Sequence, residues 1–200
     1  VIQEGIKADV RSPEQIKSQL RSIRTKYKKL PVLQKKFFDI ERFSNPYSDT
    51  RILYGDKDQP IKTLLVGIDI GVGELLVAKQ LQQSGKSVDL VISHHPSGRG
   101  LAGLAEVMSI QTDILTNYGL NNDVAENFMG QRIADVARDL HGANYNRVVD
   151  AARLLEIPFM CCHTPADNHV AKYLGHLMRA KKPKTLKNVL DLLLKEPEYQ

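Results

Sequence analysis

Tryptophan is absent from this 200-residue sequence, aromatic residues make up 6% of it, and its only two cysteines stand side by side at Cys161-Cys162. Adjacent cysteines match no zinc-ribbon spacing and could close only a strained vicinal disulfide, so neither a disulfide framework nor a thiolate cage organises the chain. On a buried strand the pair reads as two small, inert hydrophobes, and a reducing, cytoplasmic compartment is the expectation. Long hydrophobic runs are also lacking. The longest, residues 64–70 and 88–93, fall far below the roughly 18 residues that a membrane-spanning helix needs, so no membrane partner is expected. Nor does one sign of charge dominate: 28 Lys and Arg stand against 23 Asp and Glu. What is present, 42% apolar residues in a mixed charge background, excludes disorder. A chain of this length buries on the order of 70% of its unfolded surface and needs neither disulfides nor metal merely to fold.

The net charge of +5 is concentrated at one end. Residues 1–42 hold eleven Lys and Arg against five Asp and Glu, leaving the remainder at −1. That remainder carries no basic stripe with interleaved aromatics, so nucleic acid is not the expected partner. Within the basic end, Ser12-Pro13-Glu14-Gln15 is a capping box with proline at the first helical position. Ile16, Leu20, Ile23 and Tyr27 follow at helical spacing and predict an amphipathic helix. Pro31 ends it, a second short helix is expected around residues 33–40, and Phe43-Ser44-Asn45-Pro46-Tyr47 reads as a loop. Residues 1–44 are therefore read as a basic helical appendage with one solvated face, or a face that docks on an acidic neighbour, and residues 45–200 as the main lobe.

In that lobe the period changes. Residues 62–70 (KTLLVGIDI) read as a strand, residues 74–83 as a helix and residues 88–93 (VDLVIS) as a second strand, a βαβ unit whose nearly continuous apolar strands suit a parallel sheet. Helices are predicted at 104–118, 124–140, 146–155, 169–180 and 186–195, with a third strand at 157–162 (IPFMCC). The fold class is α/β, with a parallel or mixed sheet flanked by helices.

Two strands end in histidine: VDLVIS runs into His94-His95-Pro96, and IPFMCC into His163-Thr164-Pro165-Ala166-Asp167. Ligands of open α/β sheets gather beyond the carboxyl ends of the strands, where both clusters would emerge. Imidazoles with a carboxylate suit Zn, Mn or Fe(II). Consecutive side chains of an extended chain point to opposite sides, so His94 and His95 reach one ion only if the chain turns sharply. Two ions, about 3.5–4 Å apart and sharing a water activated for attack, relieve that constraint. Asp167 has a plainer role open to it, as a helix N-cap, and so has His163, orienting a ligand from behind instead of binding metal. Gly71-Val72-Gly73 fails as a dinucleotide fingerprint, because Leu76 stands where the third glycine belongs, and Gly85-Lys86-Ser87 lacks the cradle of a P-loop.

The strings LVGIDI, VDLVISHHP and HTPAD together resemble the Nif-three-like family, whose members are also labelled GTP cyclohydrolase I type two homologues. The resemblance implies an α/β fold assembled into toroidal hexamers. It also implies two divalent metal ions held by His94, His95 and Asp167, with His163 behind them, and a hydrolase or cyclohydrolase acting on a nucleotide or phosphate-containing small molecule. Departures exist. Pro165-Ala166 replaces the family's Asn-Leu, the long gap between His95 and His163 implies a helical insertion or lid near residues 101–143, and the closing H-x-x-x-E ligand pair has no counterpart. Four residues after His141, His163, His169 and His176 stand Tyr145, Asp167, Tyr173 and Ala180. The expectation is either a chain lacking a second, C-terminal lobe or a divergent member, in both cases holding metal weakly. Two other readings stay open: a non-catalytic metal-binding scaffold, and an Asp-His-His-type phosphoesterase, which Ser93 disfavours by occupying the aspartate position.

Overall fold

The computed structural model describes residues 1–199. In chain order it runs through α1 (Ile2–Ala8), α2 (Pro13–Lys29), α3 (Val32–Lys36), a 3-10 turn (Ile40–Phe43), β1 (Arg51–Tyr54), β2 (Leu64–Gly67), α4 (Val72–Gln83), β3 (Leu90–Ser93), α5 (Gly98–Ala102), α6 (Leu104–Val107), α7 (Ile110–Asn117), α8 (Asn122–His141), α9 (Arg147–Leu154), β4 (Phe159–Cys161), α10 (Thr164–Lys181), α11 (Leu186–Leu193) and a closing 3-10 turn (Pro197–Tyr199). The sheet order is β1-β4-β3-β2. β2, β3 and β4 are parallel, while β1 lies antiparallel on β4 with a bulge between Ile52 and Tyr54. The sheet is thus mixed.

Alternation along the strands sends Val91 and Phe159 to one face, where Leu75 and Ala78 of α4 and Val149 and Ala152 of α9 bury them. On the edge strand the opposite parity, Leu64 and Val66, stays exposed. The strand predicted at 62–70 pairs only over Leu64–Gly67, because Ile68 and Asp69 turn away to meet the histidine loop. The β2–β3 contact is extended in the other direction by Asp89, whose carboxylate accepts the backbone N–H groups of Lys62 and Thr63, both at 2.8 Å.

A second core gathers around Tyr47, fully buried, with Val107 and Ile110, and draws in Ile2, Ile6 and Ile114. The continuous helix predicted at 104–118 is broken at Met108-Ser109, and both α6 and α7 thereby set apolar side chains against Tyr47. The helix predicted at 33–40 stops at Lys36. Phe38 leaves the helical path to pack with Tyr27 and Phe43, ring centroids 4.9 and 5.4 Å away. The Ser12 capping box forms, with both reciprocal hydrogen bonds. Ahead of it α1, which the sequence pattern did not signal, lies along α10. The Gly5 carbonyl accepts from Asn168 Nδ2 at 3.2 Å, and Asp9 is held by Arg11 at 2.7 Å and by the Tyr47 hydroxyl at 2.6 Å. Among the described residues, no helix is long and apolar enough to cross a membrane.

Candidate metal centre

The site is assembled where β3 and β4 end side by side. Backbone hydrogen bonds continue past both strands: His94 N–H donates to the Gly67 carbonyl and His95 N–H to that of Ile68, each at 2.8 Å, and Cys162 N–H donates to Ser93 at 2.9 Å. Beyond β4, His163 N–H donates to Thr50 Oγ1 at 3.0 Å. These contacts fix the backbone beneath three imidazoles. One ring nitrogen each of His94, His95 and His163 falls within 4.8 Å of the other two. The chain leaves the extended state at His94-His95, so two adjacent side chains that a straight strand would separate converge.

Asp167 sits in the first turn of α10, which starts at Thr164, five residues earlier than the sequence pattern suggested. No side-chain cap hydrogen bond forms at that end, so the N-cap role open to Asp167 is not the one it takes. Its carboxylate instead lies 3.4 Å from His94 Nε2 and 3.8 Å from His163 Nε2.

Each imidazole has its other nitrogen engaged by an oxygen. His94 Nδ1 is 3.2 Å from the Cys162 carbonyl, His95 Nδ1 is 2.7 Å from Asp69 Oδ1, and His163 Nδ1 is 3.0 Å from Asp49 Oδ2. A carbonyl or an ionised carboxylate can only accept, so the neutral rings carry their proton on Nδ1 and present a bare Nε2 lone pair. That pattern, an imidazole backed by an oxygen acceptor, is how histidine ligands are usually oriented. Hydrogen bonding to Asp49 raises the His163 pKa above the ordinary 6.5, outweighing burial that acts the other way; the charges of Asp49 and Asp167 add to the rise. The donor set of three imidazoles and a carboxylate, without thiolate, fits a borderline divalent ion such as Zn, Mn or Fe(II). Cys161 is buried beneath the site, and burial pushes its thiol up to about 11, out of the thiolate range.

Asp49 and Asp69 are the site residues that local sequence does not reveal. Asp69 is the penultimate residue of the LVGIDI string, and Asp49 sits in the loop before β1, so both look like ordinary turn residues until the sheet brings them to the histidines. Ser93, fully buried at the end of β3, has a hydroxyl without a hydrogen-bond partner among the described residues. It supplies no carboxylate to the histidine pair.

A cavity of about 100 Å³ adjoins the cluster, walled by Asp49, His163, Thr164 and Asp167 on one side and by Met108 and Gln111 on the other. A larger concavity of about 1020 Å³ opens near Tyr54, Asp89 and Pro158, at the start of β3 and β4. No set of His, Cys, Asp or Glu ligands converges there among the described residues, whereas the smaller cavity is lined by His163 and Asp167.

The fold and cluster define a class: an α/β protein with a cluster of imidazoles that could hold a metal ion at the carboxyl edge of a mixed sheet. A crystal structure described as a NIF3 superfamily protein from Sphaerobacter thermophilus is similar to this chain at a TM-score of 0.63 and 25% identity, over 76% of this chain and 55% of the other. The likeness supports assigning the chain to the NIF3-like family. The chain thus spans a little over half the length of that relative. No family model and no curated protein matches the sequence.

Proposed function

We propose that this chain is a dinuclear divalent-metal protein of the Nif-three-like kind, with His94, His95 and Asp167 as ligands, acting as a hydrolase or cyclohydrolase on a nucleotide or another phosphate-containing small molecule. One observation carries the metal reading: three imidazoles converge beside a carboxylate, each with Nδ1 already engaged by an oxygen. When bound, divalent ions supply Lewis acidity toward a phosphoryl or carbonyl oxygen and lower the pKa of water. The residues of the chain would orient that chemistry, with α6 and α7 walling one side of the cavity. A homo-oligomer, hexameric by resemblance, and a reducing cytoplasmic setting belong to the same proposal. The exposed apolar residues Leu64, Val66 and Ile68 on and just past the edge strand favour association.

The test replaces His94 and His95 with Ala and measures bound Zn, Mn and Fe by elemental analysis after dialysis against each ion. Metal binding should disappear while the circular dichroism spectrum is retained; unchanged metal content would sink the assignment. A second reading, a metal-bearing scaffold without turnover, is favoured by the size of the adjoining cavity, about 100 Å³, below the roughly 300–1,000 Å³ usual for drug-sized ligands. Metal-dependent turnover on a nucleotide and phosphoester panel, lost in the double variant, decides for the enzyme.

A further inference from the structure

We propose that His163 is itself a metal ligand, through Nε2, and that the buried Asp49 is the positioning residue that holds it in that role; the inference rests on the metal reading above. Asp49 is entirely buried. Its Oδ2 accepts from His163 Nδ1 at 3.0 Å, from the Thr164 hydroxyl at 2.6 Å and from the Thr164 backbone N–H at 3.3 Å, and its Oδ1 accepts from the Thr50 hydroxyl at 3.2 Å. A carboxylate is costly to bury unless donors surround it. Here the donors come from its neighbour Thr50 and from His163 and Thr164, at the junction of β4 and α10. Both oxygens are thereby engaged by donors, so Asp49 acts on the cluster through the ring it holds.

The geometry separates direct ligation from a supporting role. A histidine that merely oriented Asp167 would donate a proton to it. With Nδ1–H committed to Asp49, a neutral His163 has no proton on Nε2 to give, and the 3.8 Å separation from Asp167 Oδ2 exceeds hydrogen-bond length. What Nε2 offers is a lone pair, in a ring that packs against His94 with centroids 4.8 Å apart. Ring and backbone are both fixed, the latter by Thr50. A preset lone pair beside the Asp167 carboxylate, which also lies 3.4 Å from His94 Nε2, is the arrangement a cation requires.

The experiment is a zinc chloride titration of the nitrogen-15-labelled chain at about pH 8, where histidine is largely neutral, read by long-range proton–nitrogen NMR with His163→Ala for assignment. Before zinc, His163 should show a protonated Nδ1 and a bare Nε2, and that Nε2 should shift as zinc binds. Asp49→Asn should erase the tautomer preference and weaken zinc binding by about 10–100-fold. Thr164→Val, which removes a different donor to the same oxygen, should weaken it far less. If zinc moves the nitrogens of His94 and His95 but not those of His163, the role of His163 falls and the metal reading stands. If zinc moves none of them, both fall. Equal losses in Asp49→Asn and Thr164→Val would reduce Asp49 to packing and overturn its positioning role. Should Asp49→Asn fail to fold, the tautomer and zinc shift of the unmodified chain still decide whether His163 is a ligand.

Discussion

At the scale of single residues, the side of an imidazole that faces a cation is set by what its other nitrogen touches. His163 also illustrates the sign of the resulting pH dependence. Asp49 holds its pKa above 6.5, so in the metal-free chain the protonated ring stabilises the fold. That contribution is fully present below the unfolded value and is lost as pH rises through the folded one. Metal binding needs the neutral ring and runs the other way. Zinc affinity should therefore fall as the solution is acidified through the raised His163 pKa, and Asp49→Asn should move that fall to lower pH. Calorimetric titrations across pH read both, and a fall that Asp49→Asn leaves in place would contradict the coupling. His94, His95 and His163 could be placed at one sheet edge from the sequence because apolar strands run into them, and Asp167 because it stands four residues beyond His163. Asp49 was not, because its partner lies 114 positions away and no local pattern signals such a pair.

At the scale of elements, periodicity located the helices well and their breaks poorly. The strand β1 escaped because it spans four residues, carries the charged Arg51 and pairs antiparallel through a bulge, so alternation is short and interrupted. Helix α1 escaped because its seven residues contain Gly5 and lack a side-chain cap. That glycine is explained by packing. A Cβ at Gly5 would stand 2.7 Å from Pro165 Cβ and 3.0 Å from the Tyr47 ring. Pro165 is the second residue of α10, and its ring cannot swing aside. Ala has a helix-propensity advantage over Gly of about 0.8–1 kcal/mol, whereas overpacking typically costs about 1–3 kcal/mol, and contact with a rigid proline puts this site at the upper end. Gly5→Ala should thus destabilise the chain by about 1–2 kcal/mol in thermal or denaturant unfolding. A stabilised variant would mean that α1 does not seat on α10 as described.

At the scale of the whole molecule, the chain joins two cores, one under the sheet and one around Tyr47, and the proposed metal centre lies at the carboxyl edge of the sheet. The segment before α2 is not simply a solvated basic arm. Asp9, with no exposed side-chain surface, pairs with Arg11 and Tyr47, tying the segment before α2 to the loop that carries Asp49. The excess positive charge sits beyond that tie, on α2 and α3. α/β class, helix locations and the shared strand edge could be read from sequence. The mixed sheet and the Tyr47 core could not, since both rest on contacts between segments far apart in the chain. The central claim, that the imidazoles of His94, His95 and His163 and the carboxylate of Asp167 together form a cation site, is tested most directly by anomalous diffraction at the zinc edge from zinc-soaked crystals. The account predicts anomalous density bounded by those four side chains and absent from the His94→Ala/His95→Ala variant; zinc bound only elsewhere, or density that survives in the variant, would contradict it.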